Sequence, residues 1–441
     1  MSHEALARSL GFDPEALKAI RPKLQAFVDR DELAGMVALA SRNGQVFYEE
    51  QIGWQDREAE KPMRPDSQFR IASMSKPVTS VLAMMLVEEG RMALEDPVTR
   101  WIPELANRQV LLDPAGPLDQ TEPAHRDITV EDLLTHRSGL AYAPFSEGPI
   151  QAAYNAALGD PGINEKSVDE WLAGLGTLPL SYQPGHHFHY GHSTEVLGFL
   201  IGRVLGVPVR EAMLEKVLHP LGMMDTDFWL PKDKLDRLAS LYAYREGVDG
   251  LARVDIPVFD APPEYTPAGG GLVSTAPDYH RFARMLLNGG ELDGVRLLKP
   301  ETVELMLTNR LTPEQRAYPF AGMDLWTKSG FGLGLAITED LTDNPYGYGE
   351  VGSFTWPGVF GTWWQADPAS DMVMIFLIQH QVPVSANSGS TIATGRGAAG
   401  RKALPVFQQG IYGALNGVGA RRVWPWSSGR KHVGERHESH Q

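Results

Sequence analysis

Two short stretches hold residue types capable of covalent chemistry. The first is Ser73-Met74-Ser75-Lys76. Residues three apart share one face of a helix, so the Lys76 amine can reach the Ser73 hydroxyl. A hydroxyl becomes a nucleophile only beside a base or a cation, and the start of a helix adds a positive dipole end. The spacing alone is weak. Ser428-Gly429-Arg430-Lys431 repeats it in a polar tail with no apolar helix behind it. Taken by itself, the tetrapeptide reads more simply as a helix cap followed by a solvated lysine.

The second stretch is GHHFHYGHSTE, Gly185 to Glu195, with four histidines between His186 and His192. As a metal site it offers His186, His189 and His192 at steps of three. Pro184-Gly185 marks a turn, however, and no acidic residue stands at an HExxH-like spacing, so no metal is expected. As a nucleophile elbow it offers Gly191-His192-Ser193-Thr194, but Glu195 stands where the turn needs glycine, and no β run leads in. Tyr190 precedes the helix that begins near Thr194 and could turn its hydroxyl toward a cleft. The plainer reading of one tyrosine is a half-buried aromatic.

These residues need elements to hold them. Residues 12 to 30 have the pattern of an amphipathic helix. GMVALASRNGQVFYEEQIGW gives two β-rich runs around Asn43-Gly44, a hairpin signal. FRIASMSKPVTSVLAMMLVEEG reads as a helix, with Val78, Val81, Leu82, Met85 and Leu86 at helical spacing. Pro77 has to lie near the first turn, where a missing N–H costs little, so the helix starts close to Ser73. Thr129 and Asp132 make a capping-box start for VEDLLTH, which Gly139 ends. TEVLGFLIGRVLG carries one apolar helical face. FGLGLAI, FGTWWQA and DMVMIFLIQ read as strands, the last two joined at Asp367-Pro368-Ala369-Ser370. A small-residue loop from Ser385 to Gly400 precedes a helix, ALPVFQQGIYGALNG, and the tail from about Ser427 reads as loose. Strands at both ends with helices between predict an α/β (α+β) fold. An antiparallel sheet flanked by helices is expected from residues 1–75 and 265–441, with a mainly helical insertion over 76–264 and the site between them.

Six segments in this order resemble one family: FRIASMSK, DLLTHRSGL (Asp132 to Leu140), PGHHFHYGHSTEVLG, HPLGMMDT (His219 to Thr226), PAGGGLVSTAPDYHRFARMLL and FTWPGVFGTWWQADP. The chain resembles the class C branch of the serine β-lactamase and penicillin-binding-protein superfamily, and more closely the family VIII carboxylesterases, over about residues 20 to 415. The resemblance implies a β-lactamase-like fold, Ser73 as nucleophile, Lys76 as its partner and Tyr190 as the third catalytic group, with no cofactor. Two departures bear on the substrate. Many relatives carry Y-x-N, where this chain has Tyr190-Gly191-His192. Relatives that hydrolyse β-lactams or peptides carry K-[ST]-G on a strand lining the site. Lys328-Ser329-Gly330 fits the letters; Trp356-Pro357-Gly358 fits the context, opening a strand, a turn and the strand DMVMIFLIQ. We place the third box at Trp356-Pro357-Gly358, as in the esterase branch. By resemblance, His192, Trp356, Pro357 and Gly358 then meet the substrate, Trp356 as a pocket wall. The backbone N–H groups of Ser73 and Val359 would bind the oxyanion.

The chemistry can also be stated without the family. Isolated lysine and tyrosine titrate near about 10.4 and 10, so lowering either to about 7 takes roughly 4 kcal/mol of environmental stabilisation. Placed together, an ammonium favours phenolate and burial favours neutral amine, and the proton belongs to the coupled pair. The expected activity is hydrolysis of small carboxylic esters through an acyl-serine. The alternatives are an acyltransferase of the same fold, a β-lactamase or D-alanyl-D-alanine peptidase, and a penicillin-recognising scaffold without catalysis.

Composition removes other classes. The 441 residues are 43% apolar and 22% charged, ample for a sizeable core. Forty basic against 55 acidic residues give a net charge of −15, which disfavours nucleic acid and anionic membranes as partners; the small-molecule ester is what the resemblance implies. With no cysteine, disulfides, thiolate catalysis and cysteine metal sites are excluded. No apolar run approaches the roughly 18 residues of a membrane span, and MSHEALARSLGFDPEAL lacks a signal-peptide core. A cytoplasmic location is expected.

Overall fold

Both ends of the chain contribute strands to one sheet. The computed structural model describes residues 3–159, 166–244, 250–320, 324–342, 349–381 and 399–416. The N-terminal part supplies β1 (Gly35–Arg42), β2 (Gln45–Asp56) and β3 (Lys61–Pro62). The C-terminal part supplies β4 (Ser329–Phe331), β5 (Ala336–Thr338), β6 (Phe354–Thr355), β7 (Trp363–Asp367) and β8 (Met372–Ile378). They form an eight-stranded sheet in the order β4-β5-β6-β7-β8-β1-β2-β3. Each pairing is antiparallel. At the β1–β2 turn Asn43 and Gly44 take φ of 51° and 75°, the left-handed pair that a two-residue hairpin requires.

Alternation along the central strands sorts two cores. Val37 and Leu39 of β1, with Val373, Ile375 and Leu377 of β8, face the larger one. Met36, Ala38 and Ala40, with Met374 and Phe376, face the other. That second face is covered by the N-terminal helices α1 (His3–Ser9), α2 (Pro14–Lys18) and α3 (Ile20–Asp29), through Leu17, Leu24 and Phe27. The C-terminal segment Ala399–Gly413 adds Phe407 and Ile411. The first face carries α4 (Ser75–Glu88) and, further along the chain, the segment Ala276–Leu287 with Tyr279 and Phe282.

Between these lie α5 (Val130–Leu134), α6 (Pro149–Leu158), α7 (Val168–Gly176) and α8 (Ser193–Leu205). The larger core runs unbroken from the sheet into them, through Trp171 on α7 and Leu200 on α8. Val196, Leu197, Leu200 and Ile201 on α8 are fully buried, each worth about 1.5–3 kcal/mol of apolar burial. That packing fixes the start of α8, and with it the turn carrying Tyr190. We label Ala276–Leu287 α9 and Ala399–Gly413 α10.

Several local expectations change. The single helix expected over 12–30 is α2 and α3, the former capped by the Asp13 side chain. FGLGLAI is a hairpin, β4 and β5, turning at Gly334 with φ 88°. The capping box of Thr129 and Asp132 is present, but α5 stops at Leu134, and His136 is already left-handed at φ 53° before Gly139. The small-residue loop lies outside the described residues through Ala398, as does the tail. Among the described residues no helix is long and apolar enough to cross a membrane.

Candidate active site

Ser73 sits in a tight turn, Ala72–Met74, that runs straight into α4. Ala72 has φ 47°, a conformation costing about 1–2 kcal/mol for a residue with a Cβ. Such strain persists only where the surroundings over-determine it. Here the Ile71 N–H donates to Leu272 O at 3.0 Å, and Tyr279 Oη to Met74 O at 2.8 Å. Ser75 Oγ donates to Ala72 O at 2.7 Å and Thr362 Oγ1 to Ile71 O at 3.0 Å. One turn further, Lys76 is 6% exposed. Its Nζ donates to Gly269 O at 2.6 Å and reaches Ser73 Oγ at 3.4 Å.

Tyr190 arrives from the helical part. Its turn is clamped to the segment after α5: the His189 N–H donates to His136 O at 2.8 Å, and Ser193 Oγ pairs with Ser138 Oγ at 2.8 Å. Gly191 lies so close to Leu140 O that a Cβ would collide with it. The Tyr190 ring packs on His136 at 4.6 Å between centroids, and on Phe145, Phe320 and Trp356 at 5.4 Å each. Its Oη donates to Ser73 Oγ at 2.9 Å and accepts from Trp356 Nε1 at 3.2 Å. Lys76 Nζ stands 4.7 Å from the ring centroid. Burial, and then the Lys76 charge, hold His136 well below the usual histidine range, so it packs as a neutral ring.

Ser73 and Lys76 open into a cavity of about 300 Å³, lined by Phe228, Trp229, Phe259 and Tyr265 and by the backbone of Gly269 to Gly271. Val359 and Phe360 close it on the β6–β7 side. Gly358 must be glycine, since a Cβ would strike Thr362 Oγ1 and Ile71 O. Through that close approach the segment after β6 lies against the Ser73 turn. The cavity's Arg70, Leu235 and Leu238 also line a second, polar cavity with Lys61, Asp236 and Arg253.

The sequence-predicted residues divide into two layers. Ser73, Lys76 and Val359 line the cavity, and Tyr190 bonds to Ser73 directly. His192, Trp356, Pro357 and Gly358 do not line this cavity. Trp356 is 3% exposed and reaches the site through its N–H on Tyr190 Oη rather than as a wall. His192 is buried against Tyr154, Trp171 and Tyr142, and burial lowers it to about 4. Lys328, the rival cation, pairs with Asp340 at 2.8 Å. The remaining histidines diverge: His187 stacks on Tyr182, and His189 lies near Ser146 Oγ. Among the described residues no cluster of three or more metal-ligating side chains forms. The sequence reading missed the Gly269 carbonyl as the lysine's acceptor, and it missed Glu195, Phe228, Trp229 and Tyr265 as lining. PAGGG stood out as a motif, but only the fold shows which carbonyl faces Lys76.

The family model described as Beta-lactamase matches residues 20–394. Protein Rv1367c of Mycobacterium tuberculosis (strain ATCC 25618 / H37Rv) is 45% identical over 392 residues, spanning 88% of this chain and 96% of that protein. Esterase EstB of Burkholderia gladioli is 32% identical over 375 residues, spanning 80% and 87%. Among solved structures, EstCE1, described as a hydrolase with promiscuous acyltransferase activity, matches with a TM-score of 0.71 at 25% identity. The match covers 88% of this chain and 98% of that one.

Proposed function

The chain belongs to the beta-lactamase family, and on that premise we propose that it is a carboxylesterase cleaving small neutral esters through an acyl-serine at Ser73. The observation that carries this reading is the contact of Tyr190 Oη with Ser73 Oγ at 2.9 Å, with Lys76 Nζ at 3.4 Å from the same oxygen. A nucleophile, two groups able to exchange its proton and an adjoining cavity are the parts acyl transfer requires. As Ser73 Oγ bonds to the ester carbonyl carbon, its proton passes to the Lys76/Tyr190 pair. The Trp356 N–H and the Lys76 charge stabilise the phenolate oxygen while it lacks a proton. The Ser73 and Val359 N–H groups hold the developing oxyanion; among the described residues the Val359 N–H has no acceptor within the protein. Tyr190 then returns the proton to the departing alcohol.

The third box supports an ester over a β-lactam. Penicillins and D-Ala-D-Ala peptides carry a carboxylate, and Trp356 and Pro357 offer it neither cation nor hydroxyl. A charge-assisted contact is worth about 1.5–3 kcal/mol, roughly tenfold to a hundredfold in kcat/KM. Lys328 is held by Asp340 and does not line the Ser73 cavity. A neutral ester loses nothing by this exchange and meets aromatic walls. A panel of short-chain esters, a penicillin and a D-Ala-D-Ala peptide tests the reading: ester kcat/KM should exceed the others at least about tenfold. Efficient penicillin hydrolysis would overturn it. A second reading, transfer of the acyl group to an alcohol, is favoured by the description of EstCE1. Ester exchange on adding a primary alcohol would reveal it.

A further inference from the structure

Residues 256–264 form part of the wall around Ser73, yet little holds them. Ile256, Pro257, Val258, Phe259 and Pro263 line the cavity. Among the described residues no backbone group of 256–264 bonds to another backbone group. Pro257, Pro262 and Pro263 have no N–H to give. Ile256, Val258 and Phe259 belong to none of the buried apolar clusters, and Val258 is 52% exposed. Two side-chain ties remain among the described residues. Trp229 Nε1 donates to Phe259 O at 2.8 Å, and Lys232 pairs with Asp260 at 2.9 Å. That ion pair is exposed, where such pairs contribute little. The ends, by contrast, are fixed. Leu251–Val254 pairs with Leu241–Tyr244, and past the segment Ala268 O accepts from Thr79 Oγ1 at 2.7 Å. A segment with few contacts between fixed ends opens locally while its frame stays folded.

Behind this segment lies the second cavity, also of about 300 Å³. Arg70, Leu235, Leu238, Ile256 and Val258 line both cavities and so stand between them. The first three are pinned. Arg70 ends the short strand Phe69–Arg70, paired with Val273–Ser274. Leu235 and Leu238 flank Arg237, whose guanidinium pairs with Asp225 at 2.5 Å and whose carbonyl accepts the Gln68 N–H at 2.7 Å. Ile256 and Val258 are therefore the part of the partition that can move, and displacing them joins the two cavities. The joined walls differ along their length. Phe228, Trp229 and Tyr265 make the Ser73 end aromatic. At the far end the carboxylates of Asp56, Asp236 and Asp255 stand against the cations of Lys61, Arg70 and Arg253. Charges balanced in this way suit a neutral group that can donate and accept hydrogen bonds, and an apolar end would leave them desolvated without exchange.

We propose that residues 256–264 are a movable strap that sets how long an ester limb the Ser73 cavity takes. The favoured substrates, within the small neutral esters, carry an apolar limb ending in a hydroxyl or an amide. This rests on the ester reading of the Ser73 site. With the strap down, the aromatic cavity holds a short limb and the polar cavity stays separate. A longer limb lifts the strap against the Trp229 and Lys232 ties, passes Ile256 and Val258, and sets its polar end among the balanced charges. Opening costs the same for every long limb, and only a limb whose end hydrogen-bonds there recovers that cost. The strap thus selects on both the length and the end group of the limb.

The test locks the strap. The chain has no cysteine, so Lys232→Cys combined with Asp260→Cys accepts a short bismaleimide in place of the ion pair, and neither residue lines either cavity. The probes are p-nitrophenyl ω-hydroxydecanoate and ω-hydroxydecyl acetate, which separate an acyl limb from an alcohol limb, with p-nitrophenyl decanoate, decyl acetate and p-nitrophenyl acetate beside them. Before cross-linking, kcat/KM for at least one hydroxyl-ended ester should exceed that of its methyl-ended partner by about threefold or more. Cross-linking should lower that value about tenfold or more and leave p-nitrophenyl acetate within about twofold. Equal losses on acetate and the long esters, or long esters untouched by the cross-link, would overturn the strap. Hydroxyl-ended esters no better than methyl-ended ones would overturn the role of the second cavity. A parent that turns over no ester at all would overturn the ester reading and this proposal with it. Acetate turnover with long esters indifferent to the cross-link would overturn this proposal alone.

Discussion

Tyr190→Phe removes a single oxygen that bonds two groups, on a ring that also faces the Lys76 ammonium. Ser73 Oγ lies 2.9 Å from it, Trp356 Nε1 3.2 Å, and the Lys76 ammonium 4.7 Å from the ring centroid. The ring keeps its contacts with His136, Phe145, Phe320 and Trp356, so the shape of the site survives. Losing a positioned proton-transfer group costs about 10²–10⁴ in rate, or roughly 3–5 kcal/mol of barrier. The same change strands the Trp356 N–H, 3% exposed, without an acceptor. An orphaned buried donor costs about 1–3 kcal/mol of stability. The two readouts are kcat on a p-nitrophenyl ester and the urea midpoint. A double-mutant cycle separates them: in a Trp356→Phe background no donor is stranded, and the Tyr190→Phe stability loss should shrink by about that 1–3 kcal/mol. A kcat within tenfold of the parent would refute the role of Tyr190 in proton transfer. A coupling below about 0.5 kcal/mol would refute the Trp356 contact.

The remaining predictions concern residues set apart from the reacting oxygen. Lys328→Ala should leave turnover of ester and penicillin within about twofold of the parent, since Lys328 faces Asp340; loss of either activity would return the third box to Lys328. Treatment with EDTA should leave ester turnover unchanged, because the histidines between 186 and 192 diverge; stoichiometric zinc lost together with activity would contradict this. Stability should fall on acidification. Burial lowers His189, His192 and His280 to about 4, against about 6.5 in the unfolded chain. Below pH 6.5 the unfolded state therefore binds protons that the folded state refuses, and each histidine can cost about 3 kcal/mol by pH 4. Urea midpoints at pH 7 and 4.5 measure the slope. His192→Asn should flatten it, and an unchanged slope would show that His192 does not contribute.

The sequence made the candidate groups legible and hid their supports. Ser73 and Lys76 could be paired because helical spacing is a local rule, and the hairpin at Asn43-Gly44 because only certain residues take two left-handed positions. Tyr190 could be singled out from its place before a helix, but it was tied to Ser73 only through resemblance, since their contact spans 117 positions of chain and no local rule encodes it. Trp356 was expected as a wall, yet its indole N–H serves Tyr190, an orientation set by the packing of the indole within the aromatic cluster around Phe331. FGLGLAI read as one strand because its apolar content hid the glycine turn. Glu195 looked merely like a residue that spoils a nucleophile elbow; its burial comes from Gly269, 74 positions away, packing on its carboxylate.

The central claim is that Ser73 carries the acyl group. It is tested most directly by quenching a reaction with a short-chain ester in its first turnovers and mapping the acylated peptide by mass spectrometry. The account predicts one acyl group per chain on the peptide containing Ser73, with neither adduct nor turnover in Ser73→Ala. An adduct on Ser193 or Ser428, or full turnover by Ser73→Ala, would contradict it.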